Sequence, residues 1–226
     1  MSLEIGMLLF PDLTQLDLTG PFEVLHRIPG AHVHLVWKDR LPVRAQGGLS
    51  IVPTATLDDA PPLDLLFVPG GFGQLAAAED DEVLGFLARQ GATARWVTSV
   101  CTGSLLLGAA GLLDGYRATT HWAYLEQLAT FGATPVSERV VIDRSRITAG
   151  GVTSGIDFGL RVAATVAGED AARAIELGIE YDPAPPYACG HPDRASPALI
   201  AIVRSRLAPS VDAQRAFGAA WRARRG

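Results

Sequence analysis

Cys101 stands where the sequence changes period. Arg95-Trp96-Val97-Thr98-Ser99-Val100 is β-branched and apolar, as a buried strand is. Gly103-Ser104-Leu105-Leu106-Leu107-Gly108-Ala109-Ala110 carries small residues and leucines at helical spacing. A strand that turns at once into a helix holds its junction residue on a tight elbow at the top of the sheet, the placement that serine hydrolases give their nucleophile. A thiol there faces a helix N-terminus, which favours the thiolate. A free thiol with a pKa of about 8.5 is only about 3% ionised at pH 7, and each unit of lowering takes about 1.4 kcal/mol of preferential thiolate stabilisation. Cys101 is therefore read as a nucleophile, against the competing reading of a buried structural cysteine.

Four further groups can serve a site around Cys101. Asp17 lies between Leu16 and Leu18, just after an apolar first strand, where loss of water raises a carboxyl pKa. A neutral Asp17 can donate to the Cys101 thiolate and then serve as general acid. Alternatively it caps or turns the chain into a helix at Pro21. Gly70-Gly71-Phe72-Gly73 follows another apolar run. The N–H groups of Gly71 and Thr102 can form an anion hole beside the thiolate, or the glycines make a plain tight turn. His121, in Ala118-Thr119-Thr120-His121-Trp122, is a candidate thiol partner or a structural residue at a helix start. Asp182 lies in the rigid Glu180-Tyr181-Asp182-Pro183-Ala184-Pro185-Pro186 segment, able to border a pocket.

The elements that must position these groups alternate. Strands are expected over Leu3–Phe10, Ala31–Trp37, Leu63–Val68, Ala94–Val100, Arg139–Ile142 and Arg146–Ala149, with a hairpin or side strand within Val43–Thr56. Helices are expected from Gly20-Pro21 to Ile28, and over Asp80–Gln90, Thr102–Leu112, His121–Phe131 with Thr120 as cap, Thr153–Ala167 and Ala171–Ile179. Tyr181–Ser196 reads as a Pro-rich loop, and Ala198–Leu207 and Val211–Arg225 as two surface helices. Such alternation implies a mostly parallel sheet covered on both faces, with ligands outside the carboxyl ends of the strands. Asp17, the Gly70–Gly73 loop, Cys101 and Gly150-Gly151 all fall on that rim.

Composition excludes several classes. The 226 residues, 48% hydrophobic, suit one compact domain, 1–226, with 197–226 as a helical extension. No apolar run reaches membrane-spanning length, and the N-terminus reads as a core strand rather than a signal peptide. The net charge of -5 argues against nucleic-acid binding, and the Arg215, Arg222, Arg224 and Arg225 face reads as solvated or packed on a partner subunit. Cys101 and Cys189 are not read as a disulfide, and the natural compartment is cytoplasmic. His32 and His34 lack the partners for a metal site, and the glycine loop lacks the pattern of a nucleotide site.

The glycine turn, Val100-Cys101-Thr102-Gly103 and Ala118-Thr119-Thr120-His121-Trp122 resemble the ThiJ/PfpI superfamily. With Leu16-Asp17-Leu18-Thr19-Gly20-Pro21, Ala149-Gly150-Gly151-Val152-Thr153-Ser154-Gly155-Ile156-Asp157-Phe158 and Glu180-Tyr181-Asp182-Pro183, the chain is similar to the isocyanide hydratases within it. The resemblance implies a flavodoxin-like α/β sandwich and a homodimer acting on a small molecule without metal or organic cofactor. It makes Cys101 the nucleophile, Asp17 the acid/base, and Thr102 and Asp182 supporting residues; the reading of the residues themselves adds Gly71, Gly150 and His121 around the substrate. Hydrolytic members often carry His after the nucleophile, and Thr102 here speaks against a protease. The rivals are a glyoxalase-like or deglycase-like enzyme acting on 2-oxoaldehydes and a ligand- or redox-sensing domain without turnover. Sensors of that kind carry a helix-turn-helix domain beyond the point where this chain stops.

Overall fold

A computed structural model describes residues 2–224. Eleven strands occur among them: β1 (Leu3–Leu8), β2 (Ala31–Trp37), β3 (Val43–Arg44), β4 (Ser50–Ile51), β5 (Ala55–Thr56), β6 (Leu65–Val68), β7 (Trp96–Val100), β8 (Arg117–Ala118), β9 (Thr134–Pro135), β10 (Val140–Asp143) and β11 (Arg146–Ala149). Seven of them form one sheet in the order β10-β11-β7-β6-β1-β2-β5. Every neighbouring pair is parallel except β10 with β11, which close a hairpin at the sheet edge. The central β6 is buried along its whole length, as its continuous Leu-Leu-Phe-Val run requires of a strand covered on both faces.

The α-helices are α1 (Gln15–Leu25), α2 (Gln74–Ala78), α3 (Asp81–Thr93), α4 (Gly103–Ala109), α5 (Ser154–Ala167), α6 (Glu169–Gly178) and α7 (Pro197–Ala223). One group, α1, α5 and α6, packs together, with Phe158 of α5 against Phe67 of β6 at a ring separation of 5.4 Å. The other group is α2, α3, α4, a 3-10 helix over Trp122–Phe131, and α7 lying on that 3-10 helix. The two groups cover the sheet as the βαβ alternation demands.

The structure departs from the sequence-based expectations at both prolines inside helices. The first helix begins at Gln15 with Thr14 as N-cap, not at Pro21, so Asp17 is a first-turn residue and not a cap. Pro21 sits in mid-helix, where it removes one backbone bond. Its ring lies against Gly155 of α5, where an added Cβ would be 2.7 Å from Pro21 Cδ. Close packing of α1 on α5 offsets the lost bond. Pro209 likewise fails to split the C-terminal segment, and α7 runs unbroken for 27 residues. Phe217 is buried, its ring 6.4 Å from that of Phe131, and the Trp221 indole N–H donates to the Ala109 carbonyl at 3.1 Å. These contacts anchor the half of α7 that follows Pro209. Arg225 lies outside the described residues.

Smaller corrections follow the same logic. His121, not Thr120, caps the 3-10 helix, its Nδ1 accepting from the Ala123 N–H at 3.3 Å. The later turns of α5 keep one face open at Arg161 and Thr165, so that helix is buried on one side only. The β10–β11 turn lies at Arg144, which takes φ 53. His32 and His34 both face Glu4 across the β1–β2 register, His34 Nε2 at 2.7 Å, a carboxylate partner that the sequence spacing hides.

Candidate active site

The rim predicted from the alternation is where the chemistry gathers. Cys101 lies between the end of β7 and the start of α4 with φ 55. This left-handed conformation costs a non-glycine residue about 1–2 kcal/mol. Backbone hydrogen bonds over-determine it. The Cys101 N–H is shared between the carbonyls of Ala149 at 3.0 Å and Gly150 at 2.9 Å. Its carbonyl accepts from Ser104 Oγ at 3.1 Å and Thr120 Oγ1 at 2.7 Å. Gly150 thus acts on the backbone of the elbow, and Thr120 anchors the elbow in place of capping a helix.

Asp17 comes to the same point from α1. The segment before that helix is stitched to the glycine loop by the Thr14 N–H on the Gly70 carbonyl at 2.9 Å and by a bridge between Leu13 and Gly71. Asp17 is fully buried, and neither carboxyl oxygen has a hydrogen-bond partner of ordinary geometry. Loss of water raises its pKa from 3.8 to about 7, outweighing the Cys101 thiol and the Gly70 N–H, which lower it. Burial also pushes the Cys101 thiol up, and the Asp17 carboxylate pushes it further. The N–H groups of Thr102 and Val152 pull it back. The lowering expected from the helix N-terminus is therefore one contribution, and the net direction is upward. Two negative charges cannot share this dry site, so the pair keeps one proton between them near neutrality. A thiolate forms when that proton rests on Asp17.

Gly70 is what lets the pair meet. A Cβ built on it would lie 2.6 Å from Thr102 N, 2.8 Å from Asp17 Oδ2 and 2.8 Å from Cys101 Cβ. A Gly70→Ala variant is expected to wedge the two groups apart and lose about a hundredfold or more in kcat/KM. Circular dichroism should show the fold retained.

The remaining predicted residues divide. Thr102 supplies its N–H to the sulfur, while its hydroxyl accepts from the Gly71 N–H at 3.0 Å. Gly71 is thereby committed to the threonine rather than to the anion hole, and the Val152 N–H, which the sequence reading missed, faces the sulfur instead. His121 makes no hydrogen bond to Cys101; burial lowers its pKa to about 4, so it is neutral. Its Nδ1 accepts from the backbone, which puts the ring proton on Nε2. Asp182 is exposed on its loop and does not line the Cys101 cavity.

That cavity holds about 220 Å³. Cys101, Thr102, Gly71 and His121 line it from the rim, and Leu207, Ser210 and Gln214 line it from α7. A larger hollow of about 530 Å³ lies beyond His121 and Val152 and takes in Gly150, but not the sulfur. The smaller cavity is the one that can hold a reacting atom. Among the described residues no cluster of His, Cys, Asp and Glu suits a metal ion, and no helix is long and apolar enough to cross a membrane.

Known proteins are similar to this chain. The isonitrile hydratase of Pseudomonas putida is 54% identical over 93% of this chain and 92% of its own. A ThiJ/PfpI family protein from Pseudomonas syringae, 44% identical, superposes with a TM-score of 0.95 over 96% of this chain and 91% of its own. The HTH-type transcriptional regulator GbdR of Pseudomonas aeruginosa is 34% identical over 79% of this chain, which spans 50% of that protein. The DJ-1/PfpI family pattern matches residues 4–165, the stretch that runs from β1 through Asp17 and Cys101 into α5, and the chain belongs to that family.

Proposed function

We propose that the chain is an isocyanide hydratase, converting R–N≡C and water to an N-substituted formamide. The observation that carries this is the 54% identity with an isonitrile hydratase over nearly the whole of both chains. The site chemistry supports it. The terminal carbon of an isocyanide accepts a nucleophile and then needs a proton on the same carbon. A thiolate beside a carboxylic acid meets both needs.

In the proposed sequence the Cys101 sulfur bonds to that carbon and Asp17 gives the carbon its proton, leaving a thioimidate, R–N=CH–S, and a carboxylate. Water then attacks the carbon. One of its protons goes to nitrogen and the other returns to Asp17 as the C=O forms and the sulfur leaves as thiolate. The N–H groups of Thr102 and Val152 hold the sulfur's charge at both ends of the cycle. His121 donates from Nε2 or packs, and does not take the thiol proton. As a carbon–nitrogen lyase of this kind the chain needs no metal or organic cofactor. We place it in the cytoplasm as a homodimer, with Asp182 outside the catalytic machinery of its own protomer.

Purified protein should convert n-butyl isocyanide to N-butylformamide, with label from H₂¹⁸O in the carbonyl. Formamide without label, or no formamide, overturns the reading. Turnover of methylglyoxal instead would favour a glyoxalase. The pH profile is a sharper check. The reactive pair carries one proton, and its first proton leaves with the Asp17 value of about 7. The second leaves far above that, since the thiol is raised well beyond its usual range. For this uncharged substrate, kcat/KM should rise about tenfold per pH unit below neutrality and level off above it.

A further inference from the structure

The cavity beside Cys101 has a second polar centre that the proposed reaction does not use. Gln214 of α7 is 2% exposed, and neither its amide nitrogen nor its amide oxygen has a hydrogen-bond partner. Gln74, at the N-terminus of α2, is 3% exposed, and its amide nitrogen is likewise unpartnered. Gln46 adds a third unpartnered amide nitrogen, its oxygen being taken by the Thr14 hydroxyl at 3.1 Å. All three line the cavity that contains the nucleophile. Native proteins rarely leave such groups unpaired, because each costs about 1–3 kcal/mol when buried without a partner. Three glutamines converging on one reactive cavity therefore point to a ligand that satisfies them.

The inventory fixes the chemistry of that ligand. The unpartnered groups are amide nitrogens of three glutamines and one amide oxygen, that of Gln214. A group that both accepts and donates fits them. Among the described residues no Lys or Arg lines the cavity, and the pair formed by Cys101 in its wall and Asp17 behind it already holds one negative charge. A carboxylate or phosphate on the substrate would enter without a counter-ion, at heavy desolvation cost. A purely alkyl substituent would leave the amides unpaired. We infer that Gln214 and Gln74, with Gln46, form a substituent-reading subsite, and that the preferred substrates are isocyanides whose R group carries a neutral hydroxyl or carboxamide. This inference rests on the isocyanide hydratase reading. The Gln214 amide accepts the substituent's proton, and the glutamine N–H groups donate to its oxygen.

The test compares ω-hydroxyalkyl isocyanides of two to five carbons with n-alkyl isocyanides of equal heavy-atom count. Wild-type protein should prefer one hydroxyl member by about tenfold or more in kcat/KM, the preference lying mainly in KM. Gln214→Leu should bring that ratio to about one, chiefly by slowing the hydroxyl substrate, and Gln74→Leu should reduce it. A wild type that treats every pair alike overturns the subsite, and this result does not depend on any variant folding. An unchanged ratio in Gln214→Leu overturns the role of α7. Failure of wild type on both members of every pair is a different result, and it counts against isocyanide hydration itself.

Discussion

Asp17→Asn is expected to give a protein that melts higher at pH 8 and works at least a hundredfold more slowly. The sign follows from the carboxyl pKa, about 7 in the folded chain against 3.8 for an ordinary aspartate. Between those values the folded state binds a proton that the unfolded state has lost. Folding stability therefore falls as pH rises, by about 1.4 kcal/mol per unit, and a few kcal/mol are lost by pH 8. Below pH 3.8 both states are protonated and the difference vanishes. The asparagine amide cannot ionise, so the variant lacks this slope. Its Tm should exceed that of wild type by about 5–10 °C at pH 8 and match it near pH 4. Activity goes the other way, because the amide has no acidic proton for the isocyanide carbon. A variant that melts lower than wild type at pH 8 would mean that Asp17 is held by interactions other than its neighbour's proton.

Cys101→Ala should lower kcat/KM by at least about a thousandfold, some 4 kcal/mol, with no covalent intermediate trapped by acid quench and mass spectrometry. The backbone bonds to Ala149, Gly150, Ser104 and Thr120 do not involve the sulfur, so the elbow and the melting temperature should change little. Cys101→Ser keeps the shape and should be nearly as slow, since an alcohol is far less acidic than a thiol. Wild-type turnover in Cys101→Ala would refute covalent catalysis outright.

The elbow was legible because two periods, strand and helix, meet at one residue, and neither needs tertiary knowledge to read. The burial of Asp17 was legible from its flanking leucines and the apolar strand before it. The rim followed from topology, since strand ends in a parallel sheet share one side. Other features were hidden for physical reasons. Pro21 and Pro209 look like helix boundaries because the local cost of proline is visible in sequence, while the packing on Gly155, Phe131 and Ala109 that offsets it is not. The Gly71 N–H was misassigned because its partner, the Thr102 hydroxyl, lies 31 residues away. Val152 and Gln214 carried no signal at all. One acts through its backbone, and the other reaches the site from near the far end of the chain by way of α7.

That long reach has an evolutionary consequence. The family pattern ends at residue 165, before α7 begins at Pro197. Cys101 and Asp17 and the wall formed by Leu207, Ser210 and Gln214 are thus written in separate stretches of the gene. Mutation can reshape the wall without touching the reactive pair. Drift in a single helix could then change one side of the cavity, and exchanging that helix between two relatives would exchange that side alone.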